Sequence, residues 1–179
     1  DLHLLQRAQV IGADPEAEQN WGAYARSALA FSAVSLLFLF LFQLVQGVLP
    51  LHLNSPATPM TADLAWNTAV SFVTNTNWQA YSGENSLSNA TQMVVITFLM
   101  FAGATTGVAA GAGFVRGLAR SSSKDVGNFW VDFVRVFWRV LLPLSFIMAL
   151  VYVWQGIPQT LHTDAVATTL EGGRQQLLM

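Results

Sequence analysis

The sequence predicts an all-α integral membrane protein in which one short helix enters the bilayer and turns back. Hydrophobic residues make up 53% of the 179-residue chain and charged residues 10%, whereas soluble domains contain about 25% charged residues. Three long stretches, 27–62, 85–115 and 140–163, contain no lysine, arginine, aspartate or glutamate. Each holds the roughly 18 apolar residues that a spanning helix needs. Between the first two spans lies the shorter segment 63–78, DLAWNTAVSFVTNTNW.

These patterns divide the chain into seven segments. We expect spanning helices at 26–50, 91–116 and 136–157. The third span is short unless its helix already begins near Asp132, at the membrane surface, and we expect that it does. The remaining segments are an interfacial N-terminal part, an external loop, a cytoplasmic loop with the start of an interfacial helix, and an external C-terminal part: 1–25, 51–90, 117–135 and 158–179.

The orientation follows from the basic residues. Five of the eight lie within residues 116–139, at or between the facing ends of the second and third predicted spans, whereas the connection between the first two contains only Asp63 and Glu84 as charged residues. The positive-inside rule therefore places residues 116–139 in the cytoplasm and residues 49–90 outside.

The external loop contains the re-entrant segment. Residues 63–73 predict a helix of eleven residues with Asp63 suited to the N-cap. Such a helix reaches about 16 Å, roughly half the thickness of the hydrocarbon layer. A segment that stops there must line a cavity, because bare backbone in lipid is very costly. The alternative is an amphipathic surface helix that ends in a polar turn, and the residues alone do not decide between the two.

Four polar residues follow this helix, and we call Thr74, Asn75, Thr76 and Asn77 the tetrad. Consecutive carbonyls at such a position replace the hydration shell of potassium in channels. They require alternating dihedral angles, some with positive φ, and asparagine is the commonest non-glycine residue in that conformation. The negative C-terminal end of the helix dipole would also favour a cation at this position. The sequence thus predicts a cation filter, beside which the Trp78 ring either buttresses the loop or belongs to the aromatic belt.

The second span carries small residues at a spacing of four. Gly103, Gly107 and Gly111 allow another helix or backbone to approach closely. Two interpretations remain: ordinary helix packing, or a face near the pore. In the interfacial helix that leads into the third span, Asp132 and Arg135 are neighbours at i and i+3 and are predicted to pair. That cytoplasmic end is either a membrane anchor or a docking site for a partner.

Several chemistries are excluded by the sequence. It contains no GxxxxGK[ST] phosphate loop and no Asp-Lys-Thr-Gly phosphorylation motif. The three histidines are far apart, there is no cysteine, and the net charge is −2. We therefore expect no catalytic residue, no ATP site and no nucleic-acid partner.

The residues also resemble a known family. NTAVSFVTNTNWQAYSGENSLS, GNFWVDFVRVFWRVLLPLSF and the terminal LEGGRQQLLM are similar to the potassium-binding subunit of bacterial Kdp potassium-transporting ATPases. Asn20, Trp21 and Tyr24 resemble its upstream part. The resemblance implies the potassium-channel-like transporter superfamily, in which four helix–pore loop–helix repeats surround one filter. It places the tetrad in the first filter segment, where potassium binds.

The resemblance further implies a multi-pass protein of the bacterial inner membrane. Its partners would be an ATP-hydrolysing catalytic subunit, small accessory subunits and membrane lipid. One complete repeat and the first helix of a second fit this chain, so we expect a fragment of a longer subunit. Two alternatives remain: a pore-loop segment of a homotetrameric or Trk-like cation channel or transporter, and a non-conducting membrane scaffold.

Overall fold

The computed structural model describes residues 17–49, 60–81, 83–120, 123–157 and 165–177. Within these residues, three helices are long and apolar enough to cross a membrane. They are Trp21–Val48, Thr91–Ala119 and Phe129–Trp154, with 28, 29 and 26 residues. This mostly helical architecture is that of the predicted membrane protein class. The N-terminal residues 1–16, the start of the external loop and the residues after the third span, 158–164, lie outside the described part.

The helices follow the predicted order along the chain. Their bounds are α1 Trp21–Val45 with a 3-10 turn at Gln46–Val48, α2 Ala62–Val73, α3 Gly83–Ser86, a π-helical turn at Thr91–Ile96 with α4 Thr97–Ala119, and α5 Phe129–Val136 with a π-helical turn at Phe137–Leu141 and α6 Leu142–Trp154. We call α2 the half-helix. Its twelve residues reach about 18 Å, too short to cross the hydrocarbon layer.

Two helices begin at other positions than predicted, and a side-chain cap explains the start of the first. The first starts at Trp21, earlier than predicted, because Asn20 Oδ1 accepts a hydrogen bond from the Ala23 N–H at 2.9 Å. The half-helix starts after Thr61, so Asp63 lies in its first turn and not at the predicted N-cap position. There a hydrogen bond from the Thr61 side chain lowers the pKa of Asp63.

Two short antiparallel ladders were not predicted. Strand β1 (Gln19–Asn20) pairs with β2 (Asp125–Gly127), which joins the start of the first span to the connection before the third. Strands β3 (Ala165–Thr168) and β4 (Arg174–Leu177) form a hairpin near the C-terminus. Strands of two to four residues are too short for a clear alternation of polar and apolar residues.

The apolar core lies where the first span, the half-helix and the second span meet. Across this junction the rings of Phe40 and Trp66 pack edge to face with centroids 5.6 Å apart, a favourable aromatic geometry. The buried residues of this core are Leu39, Met60, Ala65, Ala69, Phe72, Leu87, Val95, Ile96, Leu99 and Ala102. By contrast, α6 has no buried residue within the described chain. The half-helix is therefore packed as an internal element.

A buried glutamine connects the first and second spans beyond this core. Gln46 Nε2 donates to the Ser86 carbonyl at 2.8 Å, and its Oε1 accepts from the Ser88 N–H at 3.0 Å and the Thr91 hydroxyl at 2.9 Å. Ser88 Oγ in turn accepts from the Thr91 N–H at 3.1 Å, as a capping serine does at the start of a helix. This network fixes the segment that connects the half-helix to the second span, at the point where it enters that span.

A buried carboxylate joins all three spans at their predicted cytoplasmic ends. Asp132 is 6% exposed and accepts two hydrogen bonds from the Arg116 guanidinium, at 2.7 and 2.6 Å. The Tyr24 hydroxyl lies 2.9 Å from this carboxylate and 2.6 Å from the Ala109 carbonyl oxygen. The predicted pairing of Asp132 with Arg135 is wrong, because Arg135 is exposed and the guanidinium of the second span reaches the carboxylate in a bidentate geometry.

The connection before the third span is built around the same arginine. Arg116 also donates to the Val126 carbonyl at 2.8 Å. Gly127 has a φ of 105°, and a Cβ there would collide with the guanidinium, so the position requires glycine. Asn128 then caps α5 by accepting from the Trp130 N–H at 3.0 Å.

Candidate ion-binding loop

The half-helix is held between two spans before its chain turns at the tetrad. Gln43 of the first span is buried, and its Nε2 donates to the carbonyls of Leu39 at 3.1 Å and Ala65 at 3.2 Å. The second bond links the spanning helix directly to the first turns of the half-helix. The position of the tetrad is therefore set by the packing of two long helices.

The tetrad adopts the alternating backbone that the sequence predicts. Asn75 and Asn77 have φ values of 58° and 57°, and they are the two non-glycine residues with positive φ in the described chain. Their neighbour Thr74 has φ −84° and ψ 0°. Asparagine tolerates the left-handed region better than most residues, which explains how this loop forms without glycine.

This backbone turns its N–H groups toward the end of the half-helix. The N–H groups of Thr76 and Asn77 donate to the Ser71 carbonyl at 2.9 and 3.3 Å, and that of Asn75 donates to the Phe72 carbonyl at 3.2 Å. Within the described residues, no hydrogen bond is made to any of the four carbonyl oxygens of the tetrad. The backbone N–H groups of the tetrad thus all have acceptors, whereas its carbonyl oxygens are available to bind another group.

The side chains of the loop add further oxygen atoms. The Thr74 hydroxyl donates to the Val70 carbonyl at 2.9 Å and lies 2.9 Å from the Thr76 hydroxyl. Asn77 Oδ1 and Gln79 Nε2 are buried atoms that make no hydrogen bond within the described part of the chain. Since buried polar atoms are almost always paired in folded proteins, both require partners from outside it.

Trp78 contacts the loop through its backbone. Its N–H donates to the Ser71 hydroxyl at 2.8 Å, whereas its side chain is 81% exposed within the described chain. The hydrogen bond, not the ring, therefore anchors this position in the structure. Whether the Trp78 ring buttresses the loop or belongs to the aromatic belt stays a prediction, because both depend on contacts with parts of the protein outside the described residues.

The second span meets the loop at one of its three predicted glycines. A Cβ at Gly103 would lie 3.2 Å from the Phe72 carbonyl oxygen and 3.4 Å from the Asn75 Cβ. Open space surrounds the corresponding positions of Gly107 and Gly111 within the described chain. The structure thus brings Gly103 to the tetrad. Close packing at the other two glycines stays a prediction that needs a partner from the rest of the protein.

We expect Gly103→Val to disturb the loop, because the added methyl groups must displace the Phe72 carbonyl or the Asn75 side chain. Overpacking of this kind typically costs about 1–3 kcal/mol. Thermal unfolding of the full-length protein in detergent and its apparent KM for potassium measure the effect. Gly107→Val adds the same bulk on the same helix but away from the tetrad, so its apparent KM should stay close to that of wild type whatever its effect on packing against the rest of the protein. A loss of affinity in Gly107→Val but not in Gly103→Val would contradict this assignment.

The residues that attach the loop to the buried face of the half-helix were not predicted from the sequence. Thr68 and Ser71 are buried in the half-helix, and the Tyr81 hydroxyl lies 2.9 Å from the Thr68 hydroxyl. Burial raises the pKa of Tyr81, so its hydroxyl stays neutral at physiological pH. Two hydroxyl residues at i and i+3 on the buried face of an amphipathic helix were the available signal.

The fold and this loop define a helical membrane protein in which a half-helix between two spans ends in a loop whose carbonyls accept no hydrogen bond from the described part of the chain. Residues 5–179 match the family described as the potassium-transporting ATPase A subunit, and the chain belongs to this family.

Curated relatives support the same assignment. The potassium-transporting ATPase potassium-binding subunit of Delftia acidovorans is 60% identical over 171 residues, which cover 96% of this chain and 30% of that protein. The proteins of the same name from Mycobacterium sp. (strain KMS) and Rhodospirillum centenum are 58% and 49% identical, over 94% of this chain. The matched regions are 31% and 29% of those two proteins. The chain thus spans less than one third of the length of these relatives.

Proposed function

We propose that the chain supplies one segment of a potassium-selective filter in the ion-translocating subunit of an ATP-driven uptake system. The observation that carries the proposal is the alternating backbone at Asn75 and Asn77, at the end of the half-helix, where four consecutive carbonyls accept no hydrogen bond from the described residues. Carbonyl oxygens in such a series can replace the water molecules around potassium. The negative end of the half-helix dipole favours a cation at the same place.

Binding in this loop would depend on geometry and partial charge. The tetrad contains no carboxylate, so an ion there would meet neutral oxygens. Neutral ligands suit transport, because an ion must bind well enough to lose water and weakly enough to leave. The two threonine hydroxyls of the tetrad, 2.9 Å apart, lie at the junction with the half-helix and offer further oxygens.

The rest of the filter must come from other segments, since one loop covers only part of a coordination shell. We propose that the chain is one helix–pore loop–helix repeat with the first helix of a second, and that the remainder of the longer subunit supplies the other loops. The relatives, at least three times as long as the matched region, have room for them. A partner subunit would hydrolyse ATP, with small accessory subunits and lipid around the complex in the bacterial inner membrane.

An aspartate in the tetrad tests the proposal. Asn75→Asp or Asn77→Asp would place a charge beside a site balanced for rapid exit, and should alter discrimination among potassium, rubidium and sodium. The measurement is potassium uptake by the full-length complex with rubidium and sodium as competitors. Ser123→Asp, at an exposed position in the connection before the third span, is the control for a charge placed outside both the tetrad and the spans. Unchanged selectivity in both tetrad variants would place the ion path elsewhere.

A further inference from the structure

The segment that returns from the tetrad is attached to the half-helix by two side-chain hydroxyls. The Ser71 hydroxyl accepts from the Trp78 N–H at 2.8 Å. One turn earlier, the Thr68 hydroxyl lies 2.9 Å from the Tyr81 hydroxyl and donates to the Leu64 carbonyl at 2.8 Å. Because Thr68 already donates to its own helix, Tyr81 donates to Thr68.

Both anchoring residues are well buried. Thr68 is 0% and Ser71 is 7% exposed, and their spacing of i and i+3 puts them on the same face of the half-helix. The Ser71 carbonyl also accepts from the N–H groups of Thr76 and Asn77. Ser71 therefore holds three successive N–H groups of the loop, two through its carbonyl and one through its side chain.

We propose that Thr68 and Ser71 form a hydroxyl clamp that sets ion selectivity by positioning the tetrad, without contacting the ion. The inference rests on the proposed function of the tetrad as a filter. The tetrad leaves the C-terminal end of the half-helix, and the residues that follow it are attached to the same helix by the two clamp contacts. The left-handed conformations at Asn75 and Asn77 lie between these two attachments. Loss of either contact frees the returning segment, and the carbonyl spacing that discriminates between ions becomes less well defined.

The two contacts make distinguishable predictions. Tyr81→Phe and Thr68→Val both remove the hydrogen bond between these two residues, and Thr68→Val also removes the bond to the Leu64 carbonyl. The double variant should therefore match Thr68→Val, with no added effect from Tyr81→Phe. Ser71→Ala removes a contact at a different point, so combining it with Tyr81→Phe should exceed either alone. We expect each single variant to raise the sodium-to-potassium uptake ratio roughly three- to tenfold, the range for loss of one hydrogen bond at a buried group.

The experiment uses the full-length subunit in its assembled complex. It measures potassium uptake with sodium and rubidium as competitors, and the amount of complex in the membrane. Ser71→Thr retains the hydroxyl and should restore selectivity. Thr105→Val is the matched control, because Thr105 is equally buried and its hydroxyl donates within its own helix, to the Phe101 carbonyl.

The outcomes separate the clamp from the filter. The clamp is supported if selectivity changes at normal complex levels, with Ser71→Thr and Thr105→Val close to wild type. It is overturned if Ser71→Ala and Tyr81→Phe leave selectivity unchanged while Asn75→Asp alters it. It is also overturned if these variants only lower the amount of complex and the remaining transport is fully selective. If Asn75→Asp has no effect either, the proposed function itself fails.

Discussion

Replacing Asn75 or Asn77 with valine should relax potassium selectivity far more than replacing either with glycine. Both residues have φ near 58°, a region that glycine enters freely and β-branched residues resist. A non-glycine residue in the left-handed conformation costs roughly 1–2 kcal/mol, and valine should cost at least as much. We therefore expect the apparent KM for potassium to rise about tenfold in each valine variant, since 1.4 kcal/mol corresponds to a factor of ten.

Glycine is the matched control for this prediction, because it removes the side chain and keeps the backbone conformation accessible. The measurement is uptake by the full-length complex, with sodium as the competitor. If glycine and valine variants lose selectivity equally, the side-chain chemistry of asparagine matters and the backbone argument fails. If neither variant changes uptake, the tetrad is an external turn.

Replacing Asp132 with alanine should cause the largest loss of stability in the chain. It would leave the Arg116 guanidinium without the carboxylate that now accepts two of its hydrogen bonds, and would remove one of the two oxygens that lie within hydrogen-bond distance of the Tyr24 hydroxyl. Removing one member of a buried ion pair costs about 3–5 kcal/mol, and we expect the lower end here because the Arg116 side chain is 30% exposed. We expect little subunit in the membrane and a lower unfolding temperature in detergent. Because the three groups belong to three different spans, the defect should be one of helix assembly.

Arg135→Ala is the control, because Arg135 is the partner that helix spacing suggests and is exposed in the structure. Its loss should change stability little, as for most exposed charges. A double variant, Arg116→Met with Asp132→Leu, should recover part of the stability, since no unpaired charge remains. Equal losses in Asp132→Ala and Arg135→Ala would contradict the pairing in the structure.

Much of the fold could be predicted because the membrane limits the choices. Charge-free stretches identified three helices, and the short segment between the first two identified a helix that cannot cross. The left-handed backbone of the tetrad was also predictable, since Asn75 and Asn77 occur at alternate positions in a loop without glycine. In each case a local property of the residues decides the conformation.

The remaining features depend on contacts between residues far apart in the chain. Asp132 has basic neighbours on its own helix, yet its partner lies sixteen residues earlier, at Arg116. Only the packing of the spans brings them together. The link from Tyr81 back to Thr68 likewise requires the three-dimensional path of the loop. The contact of Gly103 with Asn75, as distinct from Gly107 or Gly111, depends on where the half-helix ends against the second span.

The most direct test of the filter is to locate the ion. An experimental structure of the intact complex in rubidium would show its position through anomalous scattering, with no variant needed. The account predicts a rubidium peak coordinated by backbone carbonyls of residues 74–77, with Asn75 and Asn77 in the left-handed conformation. A peak bound elsewhere, with the tetrad carbonyls facing bulk water or hydrogen-bonded to other protein groups, would contradict it.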